Sequence, residues 1–216
     1  MTLHRFFVQT GVTALLVISV LRSASAQVLF DNFGPGNTFQ INAGLTQGFF
    51  RPPVVQGMGF TPTVSAHLSC IDLAISLSRG PNVFVLRLLS DNAGMPGALL
   101  EEWTVVGQMG TFGTVSPIIS VTSVNTPFLS AGSQYWVVPF ATSATHAVWN
   151  YNITGDFGPL AASNDGGITY TILPNQRRGA FRVLGGTPAV PEPGPFSLLL
   201  ATCAGASLLV RRRHNA

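Results

Sequence analysis

Residues 71–89 read IDLAISLSRGPNVFVLRLL, and their spacing decides the fold class. Ile71, Leu73, Ile75 and Leu77 recur at every second position, with Asp72, Ala74, Ser76 and Ser78 between them. Period two places the first set on one face of a strand and the second on the other, the pattern of a half-buried strand. Arg79-Gly80-Pro81-Asn82 then interrupts the chain with turn-forming residues. Val83 to Leu89 is apolar except for Arg87, which suggests a central strand covered on both faces.

Outward from this pair, similar segments recur at Gln27–Phe30, Trp103–Val106, Pro117–Val121, Gln134–Phe140, Ala147–Tyr151, Ile168–Ile172 and Ala180–Leu184. Turn chemistry separates them at Asp91-Asn92-Ala93-Gly94, Ala131-Gly132-Ser133 and Asn164-Asp165-Gly166-Gly167. No ten-residue stretch between residues 27 and 189 has helical periodicity. The expected fold is all-β: an antiparallel two-sheet β-sandwich of jelly-roll or immunoglobulin-like type. An N-terminal signal helix and a short hydrophobic C-terminal helix would flank it. The expected division is 1–26, 27–188 and 189–216.

Composition agrees with strands and turns. Of the 216 residues 46% are hydrophobic and 9% charged, against about 25% charged in an ordinary soluble domain. Such a chain is too apolar to be disordered, and it lacks the Glu and Lys of a solvated helical bundle. All eleven bases are arginine, and the formal net charge is +3. That charge sits at the two ends, because residues 27–189 carry six Arg against seven Asp and Glu. A body without a basic stripe lacks the dominant electrostatic term of nucleic-acid affinity, so no nucleic-acid partner is expected.

The first 26 residues, MTLHRFFVQTGVTALLVISVLRSASA, combine a basic start at Arg5, an apolar stretch from Phe6 to Leu21 and the small residues Ala24-Ser25-Ala26. This is the three-part pattern of a secretory signal, with signal-peptidase cleavage expected after Ala26. The far end, from Val190, reads VPEPGPFSLLLATCAGASLLVRRRHNA. Its fifteen mostly apolar residues, Phe196 to Val210, would span about 22 Å as a helix, short of a roughly 30 Å hydrocarbon core. A terminal Arg cluster on the cytoplasmic side would leave the body outside.

In its order and in its position at the extreme C-terminus, this segment resembles a PEP-CTERM sorting signal. In that family the triplet is read by an exosortase, a membrane-embedded cysteine transpeptidase-like enzyme of Gram-negative bacteria. The resemblance implies that Pro191, Glu192 and Pro193 are the recognition residues. It also implies that Arg211, Arg212 and Arg213 retain the segment at the cytoplasmic side of the inner membrane until processing. Parts of the body are similar to choice-of-anchor R ectodomains: DNFGPGN from Asp31, DNAGMPGALLEEW from Asp91, FLSAGSQYWV from Phe128 and AFRV from Ala180. That likeness implies a β-rich exported domain and supplies no catalytic residues.

Chemistry-bearing residues are few. His67 and His146 are the body's histidines, with no G-x-S-x-G elbow and no H-E-x-x-H to place either beside a nucleophile or a zinc ion. Glu101 and Glu102 are neighbours, which in a strand sends them to opposite faces, whereas glycosidase chemistry needs two carboxylates across one cleft. Cys70 is the body's single cysteine, so no internal disulfide can form, and its apolar surroundings suggest an inert thiol. Asp91, Asn92 and Asp165, with Asp31, Asn32 and Asn164, are possible calcium ligands, although Asp and Asn beside Gly also form turns for backbone reasons. No other cofactor is expected. Trp136, Trp149 and Tyr151 could form a glycan-binding face if exposed, and core if buried.

The leading expectation is a non-enzymatic protein exported across the inner membrane, sorted by an exosortase, and displayed at the cell surface or released into the extracellular matrix. A polysaccharide-binding module is the alternative and a secreted hydrolase the third reading.

Overall fold

The computed structural model describes residues 26–48, 53–141 and 144–186. Ala24, Pro191, Glu192, Pro193, Arg211, Arg212 and Arg213, and the two terminal helices expected from sequence, lie outside the described residues.

The described chain is almost entirely β. In chain order the first strands are β1 (Gln27–Asp31), β2 (Gly44–Gly48), β3 (Val55–Phe60), β4 (Ala66–Leu73), β5 (Ile75–Arg79), β6 (Val83–Asn92) and β7 (Met95–Val106). They are followed by β8 (Gly110–Thr111), β9 (Ile119–Thr122), β10 (Phe128–Leu129), β11 (Tyr135–Ala141), β12 (His146–Asn150), β13 (Phe157–Ser163), β14 (Thr171–Arg177) and β15 (Phe181–Gly186). A six-stranded sheet has the order β14-β13-β3-β11-β6-β7. A second sheet runs β1-β15-β4, with β9 and β10 both pairing along β4, and a third runs β2-β12-β5-β8. Pairing is antiparallel apart from the short β5–β8 contact. Among the described residues no helix is long and apolar enough to cross a membrane.

All three sheets contribute to one buried cluster. The six-stranded sheet supplies Met58, Phe60, Phe84, Leu86, Leu88 and Val137; the other two supply Leu29, Ile71, Leu73, Ile75, Trp149 and Phe181. Alternation explains the choice, since Phe84, Leu86 and Leu88 lie two apart along β6 and share one face.

The stretch that reads as one strand over residues 71–78 is two strands in two sheets. Ala74 is the corner: its N–H donates to Ala180 O at 3.0 Å, and its carbonyl accepts from Asn150 N at 2.8 Å. The switch buries the face expected to be polar and exposed, because Asp72, Ala74 and Ser76 are all buried. Each polar group there has a partner. Asp72 accepts two bonds from Arg182, at 2.6 and 3.0 Å, and a short one from the Ser120 hydroxyl, while Ser76 Oγ accepts from Asn150 Nδ2 at 2.7 Å. Arg182 also lies 3.6 Å from Asp31, so three adjacent strands, β1, β15 and β4, carry an Asp-Arg-Asp row.

Two further differences have local causes. The strand expected at Ile168–Ile172 begins only at Thr171, because Asp165 captures the preceding residues in a loop. β2, β3 and β13 are unforeseen, since GLTQG has one apolar side chain and VQGMGF and FGPLAAS interrupt theirs with Gly or Pro.

Candidate functional site

The face of the six-stranded sheet turned away from the main cluster carries a second apolar layer. Val55, Leu89, Trp136, Val138 and Ala161 are buried there, with Phe140, Tyr170 and Ile172 packed over them. Gly57 and Gly59 make this layer possible. A Cβ on Gly57 would lie 2.6 Å from Val138 Cγ2, and one on Gly59 would lie 2.8 Å from Pro159 Cγ and 3.4 Å from the Trp136 ring.

Above this layer, the loop between β13 and β14 faces the β6–β7 ribbon across a cleft of about 330 Å³. Arg87, Leu99 and Glu102 line the ribbon side, Ile168 and Tyr170 the loop side, and Leu89 also borders it. Strand register puts Arg87 opposite Glu102, and Arg87 Nε donates to Glu102 Oε2 at 2.7 Å. The guanidinium also lies over the Phe140 ring, 5.4 Å from its centroid, so the arginine is held from two directions. Burial raises the Tyr170 pKa, and the Arg87 charge opposes that shift. Leu99 is 55% exposed and Ile168 81%, so the rims are apolar and open to solvent.

Both walls are braced by carboxylates. Asp165 accepts hydrogen bonds from Thr169 Oγ1 at 2.5 Å, Thr169 N, Ser163 Oγ and Ile168 N. These donors, the Thr169 hydroxyl first, hold its carboxyl well below the ordinary carboxylate range, so the loop brace stays ionised at any physiological pH. Asp91, in the β6–β7 turn, accepts from Trp136 Nε1 and Gln134 Nε2 at 2.8 Å each, and from Gly94 N at 2.8 Å. Its partial burial raises the pKa, but those three hydrogen bonds outweigh it and the net shift is downward.

Of the two readings open to the aromatic residues, both tryptophans take the core one. Trp136 and Trp149 are both 0% exposed, and they occupy different layers. Trp149 donates its indole N–H to Ala180 O at 3.0 Å and packs edge-on to Phe181, while Trp136 is sealed over Gly59. Tyr151 is half-buried, with the Arg177 guanidinium 5.4 Å above its ring. The hydrophobic return on burying two indoles exceeds what exposure would offer.

The calcium candidates face N–H and O–H donors, whose positive ends are the opposite of what a cation requires. This holds for Asp91 and Asp165 as described, and for Asp31, whose Oδ1 accepts from Phe33 N at 2.9 Å. Asn92 lies exposed in the β6–β7 turn, and Asn32 is buried, donating to Asp156 and Gly179 O. Among the described residues no three His, Cys, Asp or Glu side chains are grouped to hold a metal ion.

His67 Nδ1 donates to the Thr126 carbonyl at 2.8 Å, the position an orienting carboxylate takes in a catalytic triad. His146 accepts from Arg79 at 3.2 Å, and burial together with that guanidinium lowers its pKa, disfavouring an imidazolium. Glu101 and Glu102 do point to opposite faces: Glu101 is buried and binds Ser123, Val124 and Asn125, while Glu102 is exposed in the cleft.

Cys70 has the chemistry of an inert thiol. Burial, reinforced by Asp72, which accepts its S–H at 3.3 Å, pushes the pKa up to about 12. At pH 8 a thiol of that pKa is about one part in ten thousand thiolate, against roughly a quarter for an ordinary cysteine near 8.5. Iodoacetamide should therefore alkylate Cys70, as followed by peptide mass mapping, at least a hundredfold more slowly in the folded chain than in the urea-unfolded chain. Comparable rates would contradict the placement of Cys70. The folded state favours the protonated thiol, so this contribution to stability is present below pH 8.5 and fades as pH rises towards 12.

Arg87, Tyr170 and the rim residues Leu99 and Ile168 did not stand out in the sequence. The one available signal was a lone arginine within an apolar strand, two positions from its neighbours on either face. Its pairing with Glu102 was hidden because register shifts between Leu88 and Leu89 and between Leu89 and Asp91 displace the count from the Asp91–Gly94 turn. Comparison of the chain with protein-family models, with curated proteins and with solved structures returns no match.

Proposed function

We propose that this chain is an exported, non-enzymatic β-sandwich protein, sorted by an exosortase and displayed at the surface or released into the extracellular matrix of a Gram-negative bacterium. Its two layers would be the six-stranded sheet and the two smaller sheets joined at Ala74. The observation that carries the reading is the pairing of the first and last described strands. β1 opens at Gln27, the residue after the expected signal-peptidase site, and its Gln27 pairs with Gly185, one residue before β15 ends. Gln27 and Gly185, next to the two proposed sorting segments in sequence, therefore lie side by side on one sheet. In sequence, Pro191, Glu192 and Pro193 follow Gly186 by five to seven residues. The non-enzymatic part is supported by the commitment of His67, Glu101, Asp91 and Asp165 to structural hydrogen bonds.

Mass spectrometry of the protein recovered from the producing cell should find Gln27 at the N-terminus and no Arg211–Arg213 at the C-terminus. An inner-membrane protein with its arginine cluster intact would overturn the sorting assignment.

A further inference from the structure

We infer that the cleft between the β13–β14 loop and the β6–β7 ribbon binds a neutral saccharide ring. The argument begins with charge: Arg87 and Glu102 neutralise each other at 2.7 Å, and the Asp165 carboxylate, whose charge also acts on Tyr170, is already met by the donors of its own loop, so the site has no cation left over for an anionic ligand. It continues with polar valence. Among the described residues only Nε of Arg87 and Oε2 of Glu102 are engaged, which leaves the Arg87 terminal nitrogens as donors, Glu102 Oε1 as acceptor and the Tyr170 hydroxyl as both. Donors and acceptors at neighbouring points match vicinal hydroxyls, each of which donates and accepts. The rims, Leu99 and Ile168, are exposed apolar side chains suited to the C–H face of a ring. The volume of about 330 Å³ is at the lower end for small-molecule sites, enough for a short stretch of a chain whose ends leave along the open rims.

The site is also held ready. Arg87 is fixed by Glu102 and Phe140, and the loop carrying Tyr170 is fixed by Asp165, so little ordering is left for a ligand to impose. This assignment uses none of the tryptophans and does not depend on export.

The test is binding of the purified full chain to an array carrying neutral hexose oligosaccharides beside uronic-acid ones. The expected result is binding of at least one neutral glycan, weakened about tenfold by Tyr170→Phe and about tenfold by Glu102→Gln, with unchanged thermal melting. Each change deletes one charge or hydroxyl without opening a cavity, and tenfold corresponds to about 1.4 kcal/mol. Arg87→Ala should abolish binding, and Tyr170→Phe serves if that variant melts early. Binding to no neutral glycan, stronger binding to uronic-acid glycans, or binding that both conservative variants leave unchanged would overturn the inference. Because the measurement is made on purified protein, its failure leaves the sorting assignment untouched.

Discussion

Trp149→Ala should destabilise the folded body by about 3–5 kcal/mol, the range for deleting a large buried aromatic side chain. Trp149 belongs to the cluster shared by all three sheets, and it makes a hydrogen bond to Ala180 as well as ring contact with Phe181. Its neighbour Gly179 is shaped around it, since a Cβ there would lie 2.5 Å from the indole. For a body of this size, such a loss lowers the thermal midpoint by roughly 10–15 °C. Circular dichroism melting of the full chain measures it, and a shift below about 3 °C would contradict the burial. Gly179→Ala should destabilise for the opposite reason, because its methyl has no space.

Glu101→Ala should cost about 3–5 kcal/mol by a different route. The Glu101 carboxylate is 4% exposed and takes three hydrogen bonds from one connection, at 2.5 Å from Ser123 Oγ, 2.6 Å from Val124 N and 3.2 Å from Asn125 N. It extends from β7, in the six-stranded sheet, to the segment joining β9 and β10, in another. Removing it leaves those donors facing a site with no acceptor, and bonds to a charged group are worth about 1.5–3 kcal/mol each. Urea unfolding should register the loss, and the amides of Val124 and Asn125 should exchange hydrogen markedly faster. Unchanged exchange at those two amides would show that the carboxylate does not hold this connection.

What could be read from the sequence divides along a physical line. β1, β6, β11, β12 and β15 were legible because their apolar residues alternate or run unbroken between turn residues, and the turns at Gly80, Gly94, Gly132 and Gly166 all adopt positive φ. β3 was not legible, because its glycines are there to admit Val138 and the Trp136 ring from the neighbouring strand, a requirement set by residues nearly eighty positions away. The corner at Ala74 was hidden for a related reason: nothing in an alternating pattern marks where a strand leaves one sheet for another. The cleft lay furthest from view, since it needs a bulged register in β6–β7 and a loop folded over the sheet by Asp165. The place of the tryptophans stayed open because a strand indole has the same spacing whether it faces water or core, and only the partner layer decides.

The place of β15 has a consequence for timing. It is the last of the described strands, yet it lies inside its sheet, between β1 and β4. A polypeptide threaded through a membrane N-terminus first therefore cannot seal that sheet until residue 186 has emerged, whatever has already collapsed upstream. Until then β1 and β4 lack their shared neighbour, and Asp72 lacks the guanidinium of Arg182. On the proposed sorting route, closure of the fold and arrival of the Pro-Glu-Pro triplet at the membrane would fall within a few residues of synthesis of each other, so the chain would reach its sorting step at about the moment it first becomes a finished structure.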